Sequence, residues 1–254
     1  MVQRIRIRYA KRGPLRFTSH RDFARAFERA VRRAGVPIAY SQGFTPHPKI
    51  SYASAAPTGT ASEAEYLEIG VQTEVDPGDL VKALDAALSP GLDVLDAVVA
   101  GPGPGLADRI DASAWRIELP GVPTEAAAAA VAAFLATPEV PVERLTKQGR
   151  RSFDARGAVV RLTVGAGGTA GEAAGVPAPS EVTGVPCAIL DLVVRQTNPA
   201  VRPDDVLSGL RVVADLEPPV PPRVTRLVQG TLTASGEIVD PLAADRDQVA
   251  IAER

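Results

Sequence analysis

Two histidines, His20 and His47, are the side chains in this 254-residue chain best suited to proton transfer near neutral pH. His20 and His47 could form an acid–base pair acting on an RNA 2′-hydroxyl without a metal, one imidazole taking a proton while the other gives one. Ser19, His20 and Asp22 crowd one turn and cannot make a Ser-His-Asp triad, whose members must converge on each other. Glu63, Glu65 and Glu68 are spaced as a solvated strand edge, with too few carboxylates for a metal site. Gly165 to Ala170 matches the dinucleotide pattern G-x-G-x-x-A. Gly175, Pro177 and Pro179 nevertheless prevent the helix whose N-terminus would hold a pyrophosphate. No Walker lysine motif and no G-x-S-x-G elbow is present. One cysteine gives no disulfide framework, no zinc ribbon and no cysteine triad for an iron–sulfur cluster. The expectation is therefore no metal and no cofactor on this chain, with any cluster chemistry residing in a partner.

Charge supplies the stronger signal. The formal net charge is −2, yet residues 1–50 carry 12 Lys/Arg against Asp22 and Glu28, and the remaining residues carry a net −12. A basic block beside an acidic remainder is the footprint of a polyanion partner, nucleic acid first. In Arg4-Ile5-Arg6-Ile7-Arg8-Tyr9 the alternation has period two, so a strand would set three guanidinium groups on one face and Ile5, Ile7 and Tyr9 on the other. Further on, Phe23, Phe27, Ala30, Val31 and Ala34 recur at helical spacing, while Arg21, Arg25, Arg29 and Arg32 fall on the opposite side. Ser19 reads as the N-cap of that helix, and Gly35 with Pro37 as its stop.

The run Ser41 to Lys49 combines Gly43, Pro46 and Pro48 with Phe44, His47 and Lys49. Glycine permits a positive φ and the prolines stiffen the turn. An aromatic ring and an imidazole beside a lysine could stack bases and touch phosphate; the alternative is a rigid loop with Phe44 as a plug over the sheet.

The elements expected to position these residues are a strand at 3–10, a helix at 19–34, a short strand at 37–40, a strand at 65–71, a helix at 77–88 and a strand at 92–99. That order, β-α-β-β-α-β, is ferredoxin-like. A Gly/Pro run at 101–105 reads as a linker. The pattern then repeats, with strands at 115–119, near 140–145, 158–164, 187–194 and 223–229, and helices at 124–135 and 203–210. The fold class expected is α+β, as two tandem ferredoxin-like modules. A basic module at 1–100 and a linker at 101–113 precede a second module at 114–235, which carries a flexible loop at 165–186. An acidic tail at 236–254 follows. The longest apolar run, Ala126 to Ala136, is far short of the ~20 residues that span a bilayer. Arg4, Arg6 and Arg8 break any apolar core of a signal peptide, so no membrane association and a reducing, cytoplasmic setting are expected.

Gly13-Pro14-Leu15-Arg16-Phe17-Thr18-Ser19-His20-Arg21-Asp22, the run from Arg33 to Pro48, and Glu63-Ala64-Glu65-Tyr66-Leu67 together resemble the radical-SAM-linked protein family. That family is a domain of unknown function encoded beside a radical SAM protein or fused behind one. The resemblance spans residues 4–70 and implies a partner enzyme whose cluster performs radical chemistry; it supplies no catalytic residues. The layout is also similar, at the level of fold, to CRISPR repeat-processing endoribonucleases and some RNA-modifying enzymes.

The leading expectation is a non-catalytic accessory that binds RNA and presents it to a radical SAM protein. Arg4, Arg6, Arg8, Lys11, Arg12, Arg16, Arg21 and Arg25 would hold phosphates, and Phe44, His47 and Lys49 would meet a base or a loop. The alternatives are a metal-independent endoribonuclease using His20 and His47, and a module docking on the radical SAM partner through protein contacts alone.

Overall fold

The structure, a computed structural model, describes residues 1–146, 149–165 and 186–252. Among these the chain is α+β, with five α-helices, nine sheet strands and a separate two-stranded hairpin. It divides into two compact units, residues 1–111 with 226–254, and residues 112–225.

The first unit opens with β1 (Gln3–Lys11), a 3-10 turn at Gly13–Phe17 and α1 (His20–Arg33). β2 (Ile50–Ala53), β3 (Ala61–Val71), α2 (Pro77–Ala87) and β4 (Leu92–Val99) follow. β1 lies between β4 and β3, antiparallel to both, and β2 pairs antiparallel with Tyr66–Ile69 of β3. Ile5, Ile7 and Tyr9 of β1 face a core built with Phe23, Phe27, Ala30 and Val31 of α1 and Leu80 and Leu84 of α2. The Tyr9 and Phe23 rings stack at 4.2 Å between centroids. α1 starts where Ser19 Oγ accepts from the Asp22 amide at 3.2 Å. It stops at Gly35, whose φ of +64° a residue with a Cβ rarely adopts. A short strand at 37–40 does not form; only isolated bridges join Ile38 to Val71 and Tyr40 to Pro48, because Pro37 has no amide to give a ladder.

The second unit holds β5 (Ala112–Pro120), α3 (Thr124–Ala136), a hairpin of β6 (Pro141–Thr146) and β7 (Gly149–Asp154), β8 (Val159–Gly165), β9 (Cys187–Arg195) and α4 (Pro203–Ala214). Its three sheet strands run β5-β9-β8, all antiparallel. Trp115, Ile117 and Leu119 pack against Ala127, Ala130, Val131 and Phe134 of α3 and Val206 and Leu210 of α4. The hairpin was expected as one short strand. Most of the expected loop at 165–186, with all but the first glycine of the G-x-G-x-x-A run, lies outside the described residues.

β10 (Arg223–Leu232), β11 (Ile238–Val239) and α5 (Ala243–Ala252) complete the chain. From Arg226 onward these residues belong to the first unit, where β10 is hydrogen-bonded to β3. The segment from Gly236 was expected as an acidic tail. It instead pairs β11 with β10 and sends Leu242 into a small core with Ala64, Tyr66, Val98, Leu106 and Ile110.

Gly209 sets how closely α4 approaches α3: a Cβ there would lie 2.6 Å from Phe134 Cε2 and 3.0 Å from Val140 Cγ1. Gly209→Ala is expected to destabilise the protein by about 1–3 kcal/mol through overpacking, measured as a lower urea midpoint at unchanged slope.

Candidate nucleic-acid interface

Alternation puts Arg4, Arg6 and Arg8 on the face of β1 opposite Ile5 and Ile7, as the sequence indicates. That face is covered. Arg6 has 0% exposure and donates to both oxygens of Asp245, at 3.0 and 2.7 Å, to Glu68 at 2.9 Å and to the Pro104 carbonyl at 3.0 Å. Asp245, also fully buried, takes a second guanidinium from Arg109 at 2.8 Å and the Gly101 amide at 3.1 Å. The Gly/Pro run expected as a linker thus supplies backbone partners to a buried charge cluster. Burial alone would raise the Asp245 carboxyl; Arg6, the Gly101 amide and Arg109 outweigh it and hold the group below the ordinary aspartate range.

The other cations of β1 and its exit are also engaged. Arg4 lies 3.4 Å from Glu68, and Arg8 donates to the Glu63 carbonyl at 2.8 Å. Arg12 bridges Glu63 and Asp93. Lys11 is 4% exposed and directs its ammonium at the Ala56 and Pro57 carbonyls, 3.5 and 3.4 Å away. Burial pushes that ammonium below the usual lysine range, against the pull of Glu65. Glu65 in turn is buried against Arg226 and accepts from the Ala56 amide at 3.1 Å. The phosphate-holding role expected of Arg6 and Lys11 is therefore corrected. Arg6 and Lys11 cannot reach an external phosphate in this fold, and Arg4, Arg8 and Arg12 already have internal acceptors. Nor are the glutamates of β3 a solvated edge: Glu63 and Glu65 are buried and Glu68 stands directly across from Arg6, because they neutralise the cations of β1 and β10.

α1 is different. Arg21, Arg25, Arg29 and Arg32 are all exposed, and among the described residues none of the four forms an ion pair. Arg33 donates to the Ala87 carbonyl at 3.0 Å. Just before the helix, the Arg16 guanidinium lies over the Phe17 ring, 4.6 Å from its centroid, and Phe17 is 60% exposed. After it, the loop 41–47 is closed by the Ser41 amide on the His47 carbonyl at 2.8 Å and the His47 amide on Ser41 Oγ at 3.0 Å. Phe44, at 110% exposure, stands clear of the protein and plugs nothing. His47 and Lys49 are exposed beside it.

The two histidines are not joined by any hydrogen bond or ring contact among the described residues. The His20 ring meets Tyr52 edge-on at 4.9 Å, while His47 serves its own loop through backbone groups. The Tyr52 hydroxyl is buried without a hydrogen-bond partner, and burial followed by Glu28 pushes its ionisation upward. Among the described residues, no helix is long and apolar enough to cross a membrane.

Fold and site define an α+β protein in which Arg6 and Lys11 of β1 are buried and Arg4 and Arg8 lie half-buried on internal acceptors, while Arg21, Arg25, Arg29 and Arg32 of α1 face solvent without an ion pair among the described residues. A family model described as "uncharacterized protein conserved in bacteria (DUF2344)" matches residues 4–203, and the chain belongs to that family. Comparison with the curated proteins gives no match. The residues that sequence reasoning missed are Asp245, Arg109 and Arg226, which alternation on β1 cannot reveal.

Asp245→Asn keeps the side-chain shape but leaves Arg6 with Glu68 alone as counter-charge and Arg109 with none, and is expected to cost about 3–5 kcal/mol in denaturant unfolding. Because the folded carboxyl titrates below its unfolded value, its contribution is complete above about pH 4 and disappears as pH falls through the lower folded value. The gap between wild type and variant should therefore narrow only in that acid range; a gap constant down to pH 2 contradicts the assignment.

Proposed function

We propose that the protein binds RNA through the outer face of α1 and the loop that follows it, and presents that RNA to a radical SAM enzyme without performing the chemistry itself. The observation that carries this reading is the contrast in charge pairing. In a protein of net charge −2 with 30 carboxylates, four arginines on one helix face remain without an acidic partner among the described residues. Guanidinium groups left so, at i, i+4, i+8 and i+11, form a row about 16 Å long at 1.5 Å rise per residue. Each offers a planar fork matched to phosphate oxygens. Arg16, His47 and Lys49 extend the basic surface at the two ends of α1 in sequence.

The link to a radical SAM partner rests on the resemblance of the segments Gly13–Asp22, Arg33–Pro48 and Glu63–Leu67. The same reading takes the two units as tandem ferredoxin-like halves. Support comes from the order β4-β1-β3-β2 in the first unit and from β5-β9-β8 in the second, which repeats its β1-β3-β2 part.

Filter binding of labelled RNA at several salt concentrations tests the proposal. Replacing Arg21, Arg25, Arg29 and Arg32 together by Ala should weaken binding and reduce the log–log salt slope by about 0.7–0.9 for each phosphate that is no longer neutralised. Arg4→Ala, whose partner is Glu68, should change neither. Affinity and slope unaltered in the four-arginine variant end the reading. Retention of the partner enzyme after nuclease treatment, with no binding to RNA alone, replaces it with protein docking.

A further inference from the structure

We infer that the nucleic acid held by α1 is single-stranded, an unpaired segment or the loop of a folded RNA, and not a duplex; this rests on the RNA-binding reading above and names its substrate class. Among the described residues the exposed aromatic side chains are Phe17, Tyr40 and Phe44. All three lie in the stretch that begins just before α1 and ends in the loop after it. The remaining rings are buried or half-buried, many in the two main cores. Among the described residues, exposed aromatics are thus confined to the segment that also carries the four unpaired arginines of α1.

The Phe17 side chain rests against the protein, and Phe44 projects from a loop whose backbone is closed by hydrogen bonds. The Arg16 guanidinium lies over the Phe17 ring, and Gly59 comes close enough that a Cβ there would lie 3.7 Å from Phe17 Cε1. The Gly59 amide donates to the Arg16 carbonyl at 2.8 Å, fixing that corner. A guanidinium over a ring adds cationic surface beside which a base can stack. Phe44 is set by the closed 41–47 loop, where Gly43 takes a φ of +135° with open space around it. Its ring is directed to solvent by a hydrogen-bonded turn, at the cost of leaving an apolar surface wet.

Duplex RNA offers phosphates and 2′-hydroxyls on its outside but keeps its base faces stacked within the helix. The arginine row alone would serve a duplex and a single strand equally. Aromatic rings before and after that row find a partner only on bases free to splay out, and such stacking tolerates any base because each has a π-face. Phe17 and Phe44 therefore discriminate strandedness, while Arg21, Arg25, Arg29 and Arg32 supply the sequence-independent attraction.

The test uses fluorescence anisotropy of the full chain with a labelled single-stranded RNA and with the blunt duplex made from it, at one salt concentration and then across a salt series. The single strand should bind at least about tenfold tighter. Phe44→Ala should weaken single-strand binding about five- to a hundredfold while leaving the salt slope and the duplex affinity unchanged. Because Phe44 stands outside the core, the variant should keep the wild-type urea midpoint, and Phe17→Ala provides a second probe at the other end of the row. Quenching of 2-aminopurine placed in the single strand, lost in Phe44→Ala, reports the stacking itself. Duplex binding as tight as single-strand binding, or no effect of either phenylalanine variant, overturns this inference and leaves RNA binding by the arginine row intact. Failure of both RNAs to bind overturns the RNA-binding reading and this inference with it.

Discussion

The carboxylate of Asp245 faces two guanidinium groups in a space closed to water. Arg6 is sealed from solvent and Arg109 is nearly so, and an unpaired charge in such a position costs several kcal/mol. Asp245 and Glu68 make the outer face of β1 compatible with burial, and the Pro104 and Pro241 carbonyls absorb further N–H groups. Once those charges are matched, Leu242, Tyr66, Val98 and Ile110 can pack around them. The sheet of the first unit thereby gains a covered second face, opposite the one occupied by α1 and α2.

That cover determines which basic residues remain for a partner. A cation matched in the interior adds nothing to binding from outside, so the large positive balance of the first fifty residues overstates what a ligand meets. What remains is α1 with its flanking segments. Glu65 takes Arg226 and the Ala56 amide while Lys11 donates to the Ala56 and Pro57 carbonyls, a further internal use of charge.

The helical pattern was the most legible part of the sequence. Ser19, Gly35 and the spacing of Phe23, Phe27, Ala30 and Val31 place α1 almost to the residue, because caps and apolar periodicity are local signals. Period two in β1 correctly separates Ile5 and Ile7 from Arg6. Periodicity says which side chains share a face, however, and is silent on what covers that face. The Arg6–Asp245 pair joins positions 239 residues apart, and no local pattern reports it. A nearer clue existed in Glu68, which falls opposite Arg6 once β1 and β3 are paired antiparallel. The stance of Phe44 was open for a related reason, since a ring in a stiff loop serves equally as a plug or as a projecting surface, and the backbone of the 41–47 turn decides it.

The first unit is also discontinuous: residues 112–225 intervene before Arg226 and Asp245 are made. At about 5–20 residues per second, a ribosome needs roughly 6–23 s to synthesise that stretch. Throughout this interval the nascent β1 carries Arg6 without its aspartate. Until the closing segment emerges, Arg6 has Glu68 as its counter-charge but lacks the second carboxylate that makes its burial tolerable, so the covered face of this sheet is completed last.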